Sequence, residues 1–157
     1  MKIKKIIIVL NFFLLLSCGF EPIYLKKENM IGQNFTINNI GFSGDNNINQ
    51  NLKNSLKNYI NVKGKQKEYD LIIDSSSKKT ITSKNEKGNP DIFYTEVIVK
   101  MDVLNNNKIK SKKTFSEGFE YKNKSGKYEL KKYERTIQKN LTNKISQEII
   151  KFLYSLQ

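Results

Sequence analysis

The chain contains few residues that can do covalent or acid–base chemistry. Cys18 is its only cysteine, and histidine is absent from all 157 residues. Without histidine, the Ser–His and Cys–His pairs that activate nucleophiles are excluded, and so is histidine-ligated zinc. Asp70 and Asp74 lie four residues apart on a predicted strand, so they share one face and a carboxylate pair is conceivable. Two structural carboxylates among many lysines is the favoured interpretation, and we predict that the chain is not an enzyme and holds no metal.

The surroundings of Cys18 indicate the chemistry of its thiol. Three lysines precede an apolar run of 11 residues, 6–16, which a single asparagine interrupts. Such a run is too short for a bilayer, which needs ~20 residues, and a basic start before a short apolar run is typical of a secretory signal. The tetrad Leu-Leu-Ser-Cys that ends at Cys18 resembles a bacterial lipobox, in which the thiolate takes a diacylglycerol group. We therefore predict a lipoprotein signal peptide over residues 1–17 and lipidation of Cys18.

Acylation of Cys18 would supply a membrane anchor and would account for a lone cysteine. The alternative is an ordinary signal peptide with a cysteine nearby by chance, and that thiol would have no disulfide partner in an exported chain. Each buried CH₂ contributes ~0.8 kcal/mol, so one acyl chain anchors only marginally. The diacylglycerol and N-acyl chains of a lipoprotein cysteine together anchor stably. We expect the membrane as a partner through this lipid, and no cofactor besides it.

Composition predicts one domain with a strongly basic surface. Residues 1–17 carry three lysines and no acid, so the mature chain, 18–157, would have a net charge of +10 against +13 for the whole chain. A charge of this size indicates a polyanionic partner. For an exported protein, phosphorylated lipid A is a better candidate than nucleic acid, and no aromatic RNA-binding motif is found, so we predict no nucleic-acid partner. The alternative is a general bias toward lysine, which would give a basic surface with no specific partner.

Hydrophobic periodicity predicts six elements after an extended tether over residues 18–34. Isoleucine and leucine recur every four residues from Ile48 to Ile60 and again from Ile137 to Leu153, which is typical of amphipathic helices. Alternating apolar residues indicate strands, and a one-residue shift after Ile37 indicates a β-bulge. The predicted elements are a strand over 35–42, a helix over 46–60, strands over 69–83, 93–103 and 109–121, and a helix over 129–155.

The element order β-α-β-β-β-α predicts an α/β (α+β) two-layer sandwich. One half-buried sheet face needs cover, and two amphipathic helices supply it. Because a helix joins the first two strands, these strands can lie parallel, whereas the last three form an antiparallel meander. We therefore expect a four-stranded mixed sheet covered by two helices, in a single domain over residues 35–157.

The stretch LLSCGFEPIY, residues 15–24, resembles the start of the LPS-assembly lipoprotein LptE family, whose mature end reads Cys-Gly-Phe-x-Pro-Leu-Tyr. The matching residues are Cys18, Gly19, Phe20, Pro22 and Tyr24. Ile23 replaces the usual leucine. The element order and the long C-terminal helix are also similar to that family, although beyond residue 24 the likeness is one of pattern.

The resemblance implies an outer-membrane lipoprotein that lies within the lumen of the large β-barrel LptD. There it would assist assembly of the barrel, act as a plug and take part in delivering lipopolysaccharide to the outer leaflet. Gly19 directly after the lipidated cysteine agrees with sorting to the outer membrane. Residues 35–157 would then be an LptE-like domain that faces the periplasm or lies within the barrel.

A direct lipopolysaccharide site is a separate hypothesis. We place the lipid A phosphates near four lysines of the second predicted strand and the loop after it: Lys78, Lys79, Lys84 and Lys87. Two alternatives stay open at this point. One is a free-standing lipoprotein that faces the periplasm and binds a small ligand or a cell-wall component, and the other is a cytoplasmic RNA-binding domain.

Overall fold

The structure, a computed structural model, describes residues 34–156, which belong to one compact unit over Gln33–Gln157. The predicted signal peptide, Cys18 and the tether up to residue 33 lie outside the described residues. The described elements are β1 (Phe35–Gly44), α1 (Asn46–Leu56), a 3₁₀ turn (Lys57–Tyr59), β2 (Lys67–Lys84), β3 (Pro90–Asn105), β4 (Lys108–Lys122) and α2 (Lys127–Ser155). The predicted order β-α-β-β-β-α is confirmed.

One four-stranded sheet in the order β1-β2-β3-β4 forms the first layer. β1 pairs with β2 in parallel, and the other two pairs are antiparallel, so the sheet is mixed as the sequence predicts. α1 and α2 pack on one face and form the second layer, which confirms the two-layer sandwich. We call that face of the sheet the helix face and the other the helix-free face.

The core lies between the helix face and the two helices. Alternate residues of the strands are buried there, including Ile73, Val99 and Phe115, against Leu52 of α1 and Ile145 of α2. Burying a side chain of this size contributes about 1.5–3 kcal/mol. The four-residue period predicted for α2 is confirmed by its buried residues, which include Ile137, Leu141, Ile145, Ile149 and Leu153.

β1 contains the predicted bulge. The register shifts between Ile37 and Asn39, so Ile37 lies opposite Tyr69 and Ile40 opposite Leu71, and both isoleucines reach the helix face. Without the extra residue, the second half of β1 would turn its apolar side chains to solvent.

A tight turn ends β1 and begins α1. Gly44 has φ +89°, and a Cβ atom at this position would lie 1.9 Å from the Ser75 carbonyl oxygen. The next residue, Asp45, is the N-cap of α1, and its carboxylate accepts hydrogen bonds from the backbone N–H groups of Asn47 and Ile48 at 2.9 and 3.2 Å. Capping satisfies two of the donors that a helix N-terminus leaves unpaired.

α1 is shorter than predicted. Its apolar period continues to Ile60, but the helix ends at Leu56, and Ile60 has extended backbone angles and forms a parallel bridge with Ile37. The bridge satisfies backbone groups at the start of β1, because the Asn61 N–H donates to the Ile37 carbonyl at 3.0 Å. Tertiary pairing with the sheet therefore overrides the helical period.

The two helices approach each other across small polar residues that the sequence pattern does not single out. Thr142 and Ser146 of α2 are buried, and each hydroxyl donates to the carbonyl four residues earlier at 2.8 Å. Asn49 of α1 accepts from the Ser75 hydroxyl at 2.7 Å and donates to the Ser43 carbonyl at 3.1 Å. Every buried polar side chain in this contact has a partner, as burial requires.

One predicted strand face is wrong in part. The sequence places Ile109, Phe115, Phe119 and Tyr121 on one apolar side, but a register shift puts Ile109 opposite Leu104, on the helix-free face. Ile109 is 54% exposed, and Phe119 stays on the helix face but is 45% exposed because α2 does not cover it. The shift arises from an extra residue, Lys110, whose ammonium group turns toward the helix side to donate to the Leu156 carbonyl at 2.9 Å.

The turn at Gly44 leads to a test of the fold. We expect Gly44→Ala to lower the free energy of unfolding by about 3 kcal/mol or more, because the methyl group meets the β2 backbone and φ is positive. Gly64→Ala is the matched control, since Gly64 has φ +75° but no atom within 4 Å of the added Cβ. Its expected cost is about 1 kcal/mol. Equal costs in urea unfolding would contradict this account of the turn.

Candidate functional site

The end of the sheet at which β2 turns into β3 carries the predicted lysines. We call it the hairpin end, comprising residues 78–95 and 117–124. Asn85 holds the turn together, because its side-chain oxygen accepts from the N–H groups of Lys87 and Asn89, both at 3.0 Å. Gly88 has φ +78° and donates its N–H to the Asn85 carbonyl at 2.8 Å. These hydrogen bonds fix the backbone of the turn, so the side chains at the tip project from an ordered loop.

The structure brings two of the four predicted lysines together and separates the others. Lys84 is the last residue of β2, and Lys87 lies in the turn, and both are exposed at the tip. Lys78 and Lys79 are consecutive in a strand, so they face opposite sides of the sheet. Lys84 lies six positions after Lys78 along the strand, about 20 Å away. Lys78 is on the helix-free face, opposite Glu96 in β3.

Lys79 forms a contact that joins the sheet to α2. Its ammonium nitrogen lies 2.5 Å from Glu134 Oε1 and 3.8 Å from the centre of the Phe93 ring. The Tyr121 hydroxyl donates to the same carboxylate oxygen at 2.8 Å. A cation above an aromatic face adds to the ion pair. Lys79 therefore has a structural role, and its charge is partly neutralised before any ligand arrives.

Tyr121 differs from an ordinary tyrosine in its acidity. Burial raises the pKa of its hydroxyl, and the hydrogen bond to the Glu134 carboxylate raises the pKa further. Both effects favour the neutral phenol, because ionisation would place a second negative charge beside the carboxylate in a site with little water. The Tyr121 hydroxyl therefore stays a hydrogen-bond donor throughout the physiological pH range.

Aromatic rings continue from this contact toward the start of α2. The rings of Phe93 and Tyr121 lie 5.7 Å apart, and the Tyr133 ring packs edge-on against Tyr121 at 5.8 Å. Lys124 places its ammonium nitrogen 4.1 Å from the centre of the Tyr133 ring. The group is a set of rings with a cation above Phe93 and another above Tyr133.

Exposed apolar side chains flank these rings on the same face of the sheet. Ile81 on β2 is 46% exposed and Phe119 on β4 is 45% exposed, on either side of the covered Phe93. Apolar surface beside ammonium groups suits a ligand that carries both phosphates and acyl chains. Sequence reasoning found the lysines but missed this apolar part, since alternation alone indicates that Phe119 faces the core.

The carboxylates considered in the sequence do not form a pair. Asp70 accepts from the Asn39 side-chain amide at 3.0 Å, and Asp74 accepts from the Ser43 hydroxyl at 2.8 Å. Asp74 lies four positions after Asp70 along the strand, about 13 Å away. Each carboxylate therefore links β2 to β1, and the spacing does not permit joint acid–base work.

Among residues 34–156, no helix combines the length and apolarity needed to cross a membrane. Over the same residues, no group of three or more histidine, cysteine, aspartate or glutamate side chains is arranged to hold a metal ion.

Comparisons with known proteins give a likeness in structure without one in sequence. No protein-family model matches the chain, and no curated protein matches its sequence. The crystal structure of the rare lipoprotein B from Shewanella oneidensis is 13% identical and superposes with a TM-score of 0.58, covering 76% of this chain and 96% of that one. A minor lipoprotein from Acinetobacter baumannii is 13% identical with a TM-score of 0.54, covering 74% and 90%. A putative lipoprotein from Caulobacter crescentus is 16% identical with a TM-score of 0.53, covering 76% and 89%.

The chain shares the fold of these lipoproteins. The resemblance to LptE-like lipoproteins that the sequence indicates is confirmed as a likeness in fold. The match covers about three quarters of the chain and most of each lipoprotein structure, so it concerns the whole domain and not a single motif.

The raised pKa of Tyr121 predicts a dependence of stability on pH. An unfolded tyrosine ionises near pH ~10, whereas Tyr121 in the folded chain stays protonated to higher pH. Above pH ~10 the folded state therefore binds more protons, and the free energy of unfolding falls as pH rises, while the contribution is fully present below pH ~10. We expect Tyr121→Phe to show a shallower fall between about pH 9 and 11 in urea unfolding.

Tyr128→Phe is the control for this measurement. Tyr128 is 76% exposed, so this substitution removes a phenol from the surface and leaves Tyr121 in place. It should keep the slope of the wild type. Equal slopes for the wild type and Tyr121→Phe would show that Tyr121 does not carry the effect.

Proposed function

We propose that the protein is a non-enzymatic lipoprotein of the outer membrane and a subunit of the lipopolysaccharide translocon. A lipid on Cys18 would hold it at the membrane, and an LptD-like barrel would be its protein partner. It would assist assembly of that barrel, plug it and help to deliver lipopolysaccharide to the outer leaflet. The observation that carries this proposal is the fold shared with lipoproteins over nearly all of their length, together with the lipobox at Cys18.

A role in binding and assembly fits the residues better than catalysis does. The chain has no histidine, and the two carboxylates at spacing i, i+4, Asp70 and Asp74, hold β1 against β2. The side chains with the most unusual surroundings, Lys79, Glu134 and Tyr121, satisfy one another and connect α2 to the sheet. Such contacts make a firm body that another protein can surround.

The helix-free face supports the idea of a plug within a polar lumen. Charged residues of neighbouring strands lie opposite each other there, as Asp74 does to Lys100 and Lys78 to Glu96. Lys112 pairs with Asp102 in the same manner. These charges balance one another and can meet another polar surface without burying unpaired charge, although exposed apolar side chains such as Ile72 lie on the same face.

The hairpin end is the part of the domain that we propose for lipopolysaccharide. Lys84 and Lys87 would meet the lipid A phosphates as point charges, whereas Lys79, about 17 Å back along β2, is paired with Glu134. Ile81 and Phe119 would contact acyl chains next to those phosphates. Lys78 lies on the other face, so it would contribute through long-range attraction at most.

Co-purification tests the proposed function. We expect an affinity-tagged wild-type protein, extracted from membranes in mild detergent, to bring down a large outer-membrane β-barrel in stoichiometric amount. Radiolabelled palmitate should appear on the wild type and not on Cys18→Ala. A palmitate-labelled protein that purifies alone would favour the free-standing lipoprotein, and an unlabelled protein in the cytosol would overturn the proposal altogether.

Binding of purified lipopolysaccharide tests the placement of its phosphates. We expect Lys84→Ala, Lys87→Ala to bind on the order of twentyfold more weakly at low salt, because each lysine near an anionic surface contributes about 1 kcal/mol. The difference should shrink as salt is added. The matched control is Lys53→Ala, Lys151→Ala, which removes two exposed helix lysines far from the tip. If the tip variant binds as tightly as the wild type, lipopolysaccharide is bound elsewhere.

A further inference from the structure

The end of the domain opposite the hairpin end is also basic. We call it the Asn34 end, comprising Asn34, residues 57–67 and residues 105–110. Residues 57–67 hold four lysines and no acid. The Asn105 side chain donates to the Glu68 carbonyl at 2.8 Å, which brings the β3–β4 turn, with Lys108 and Lys110, alongside these lysines.

Two carboxylates lie near these six lysines. Glu68 accepts from the Asn38 amide at 3.0 Å, and Asp70 accepts from the Asn39 amide at 3.0 Å. Both are engaged with asparagine on β1, and within residues 34–156 neither forms an ion pair with a lysine. The Asn34 end therefore keeps a surplus of positive charge.

The surplus is local, which distinguishes it from a general excess of lysine. Beyond Asp70 the helix-free face holds equal numbers of acids and lysines in β2, β3 and β4, and three such pairs lie directly opposite each other across the strands. These residues are Asp74, Glu96, Asp102, Glu120, Lys78, Lys100, Lys112 and Lys122. A uniform bias would have made that face basic too, so the charge at the Asn34 end has a location of its own.

The basic segment is held in a defined shape. The Thr36 hydroxyl donates to the Tyr59 carbonyl at 3.3 Å and accepts from the Val62 N–H at 2.8 Å. Asn61 and Gly64 take positive φ values of 53° and 75°, which turn the chain back toward β2. The lysines are thus presented from a fixed loop instead of a mobile arm.

The side chains at this end suit a membrane surface. Lys57, Lys63, Lys67 and Lys108 are exposed, and none of the ion pairs in the described part of the chain includes them. Ile109, at the start of β4, is 54% exposed, which provides an apolar side chain among the charges. Ammonium groups around a protruding isoleucine are the features that favour contact with anionic headgroups.

The chain that leads to Cys18 leaves the domain at the same place. Asn34 accepts from the Lys67 N–H at 3.0 Å, and its side chain donates to Gln66 Oε1 at 2.9 Å, so the end of that chain is fixed to the basic segment. Fifteen residues separate Cys18 from Asn34, and they span at most about 55 Å. β2 alone carries the hairpin end about 60 Å further away. A lipid on Cys18 would therefore hold the Asn34 end within about 55 Å of the membrane, a limit that does not apply to the hairpin end.

We propose that the Asn34 end binds anionic phospholipid headgroups in the leaflet that holds the Cys18 lipid. This proposal rests on the lipidation put forward above and adds a second contact between the protein and that leaflet. The lipid supplies hydrophobic anchoring, and the lysines supply electrostatic attraction within about a Debye length of the surface. The two together fix an orientation in which the hairpin end points away from the leaflet.

Binding of the unlipidated chain to vesicles tests the proposal without the anchor. The protein is residues 18–157 with Cys18→Ser, and the vesicles are phosphatidylcholine alone or phosphatidylcholine with phosphatidylglycerol at roughly 7:3. We expect sedimentation with the anionic vesicles only, and its loss at high salt. Lys57→Gln, Lys63→Gln, Lys67→Gln should partition on the order of a hundredfold more weakly, which is about fivefold per lysine.

The matched control removes the same charge elsewhere. Lys127→Gln, Lys131→Gln, Lys139→Gln changes three exposed lysines of α2 and should bind nearly as the wild type does. Equal weakening by both triple variants would show that net charge alone governs binding and would overturn the proposal. Equal binding of the wild type to neutral and anionic vesicles would overturn it as well.

Tryptophan fluorescence tests the orientation independently, with variants that retain every lysine. The chain has no tryptophan, so one substitution makes a single-tryptophan protein. Ile109→Trp should shift its emission to shorter wavelength on the anionic vesicles, and Tyr128→Trp, at the other end of the domain, should not. An emission shift for Tyr128→Trp alone would indicate the opposite orientation and would overturn the proposal.

These measurements need neither acylation nor a barrel, so their failure is distinct from failure of the proposed function. No vesicle binding, combined with loss of barrel co-purification in the Lys57, Lys63, Lys67 variant, would overturn the lipid assignment and assign the surface to a protein instead.

Discussion

Burial of one face of the sheet under α1 and α2 is the interaction on which the rest of the domain depends. The apolar residues of every strand converge there, and both helices contribute a stripe that recurs every four residues. Two helices of this length cover only one face. The other face stays in contact with solvent and carries charged residues beside exposed apolar ones such as Ile72 and Ile109. Three features help to bring apolar side chains into that single layer. They are the bulge in β1, the close turn at Gly44 and the small residues between the helices.

One-sided cover also determines what the two ends of the sheet can do. β2, β3 and β4 extend past the part that β1 and α1 cover, and at the hairpin end this leaves lysines and apolar side chains together in the open. At the Asn34 end the chain enters the fold beside a lysine-rich segment. Hydrogen bonds from that segment to Thr36 and Asn34 fix its position. The domain thus presents two basic surfaces at opposite ends of the sheet, and each combines lysines with exposed apolar side chains.

Much of the architecture could be predicted because it is local in the sequence. The four-residue periods gave both helices, alternation gave the strands, and the misplaced alternation after Ile37 gave the bulge. The errors came from tertiary pairing. Ile60 continues the helical period but pairs with Ile37 in an extended conformation, and Ile109 continues the alternation but is displaced by the extra residue Lys110.

The candidate site was predictable only in its charges. The tip lysines stand out in the sequence, and the period of a strand alone would have placed Lys78 and Lys79 on opposite faces. The partner of Lys79 could not be found in this way, because Glu134 comes from α2, 55 residues later. Neither could the exposure of Phe119, which depends on where α2 lies across the sheet and not on the alternation in β4. Cys18, the residue with the strongest sequence signal, lies outside the described residues.

The second half of β2 has an unpaired edge, which affects whether copies of the protein associate with one another. β1 accompanies β2 only as far as Ser75, and among the described residues no strand hydrogen-bonds to that side of β2 afterwards. An open backbone edge nine residues long invites another chain to add a strand and to begin aggregation. Lys78 and Lys84 lie along this edge, and repulsion between these charges on two molecules opposes such pairing. The same positive charges therefore help to keep the polypeptide monodisperse.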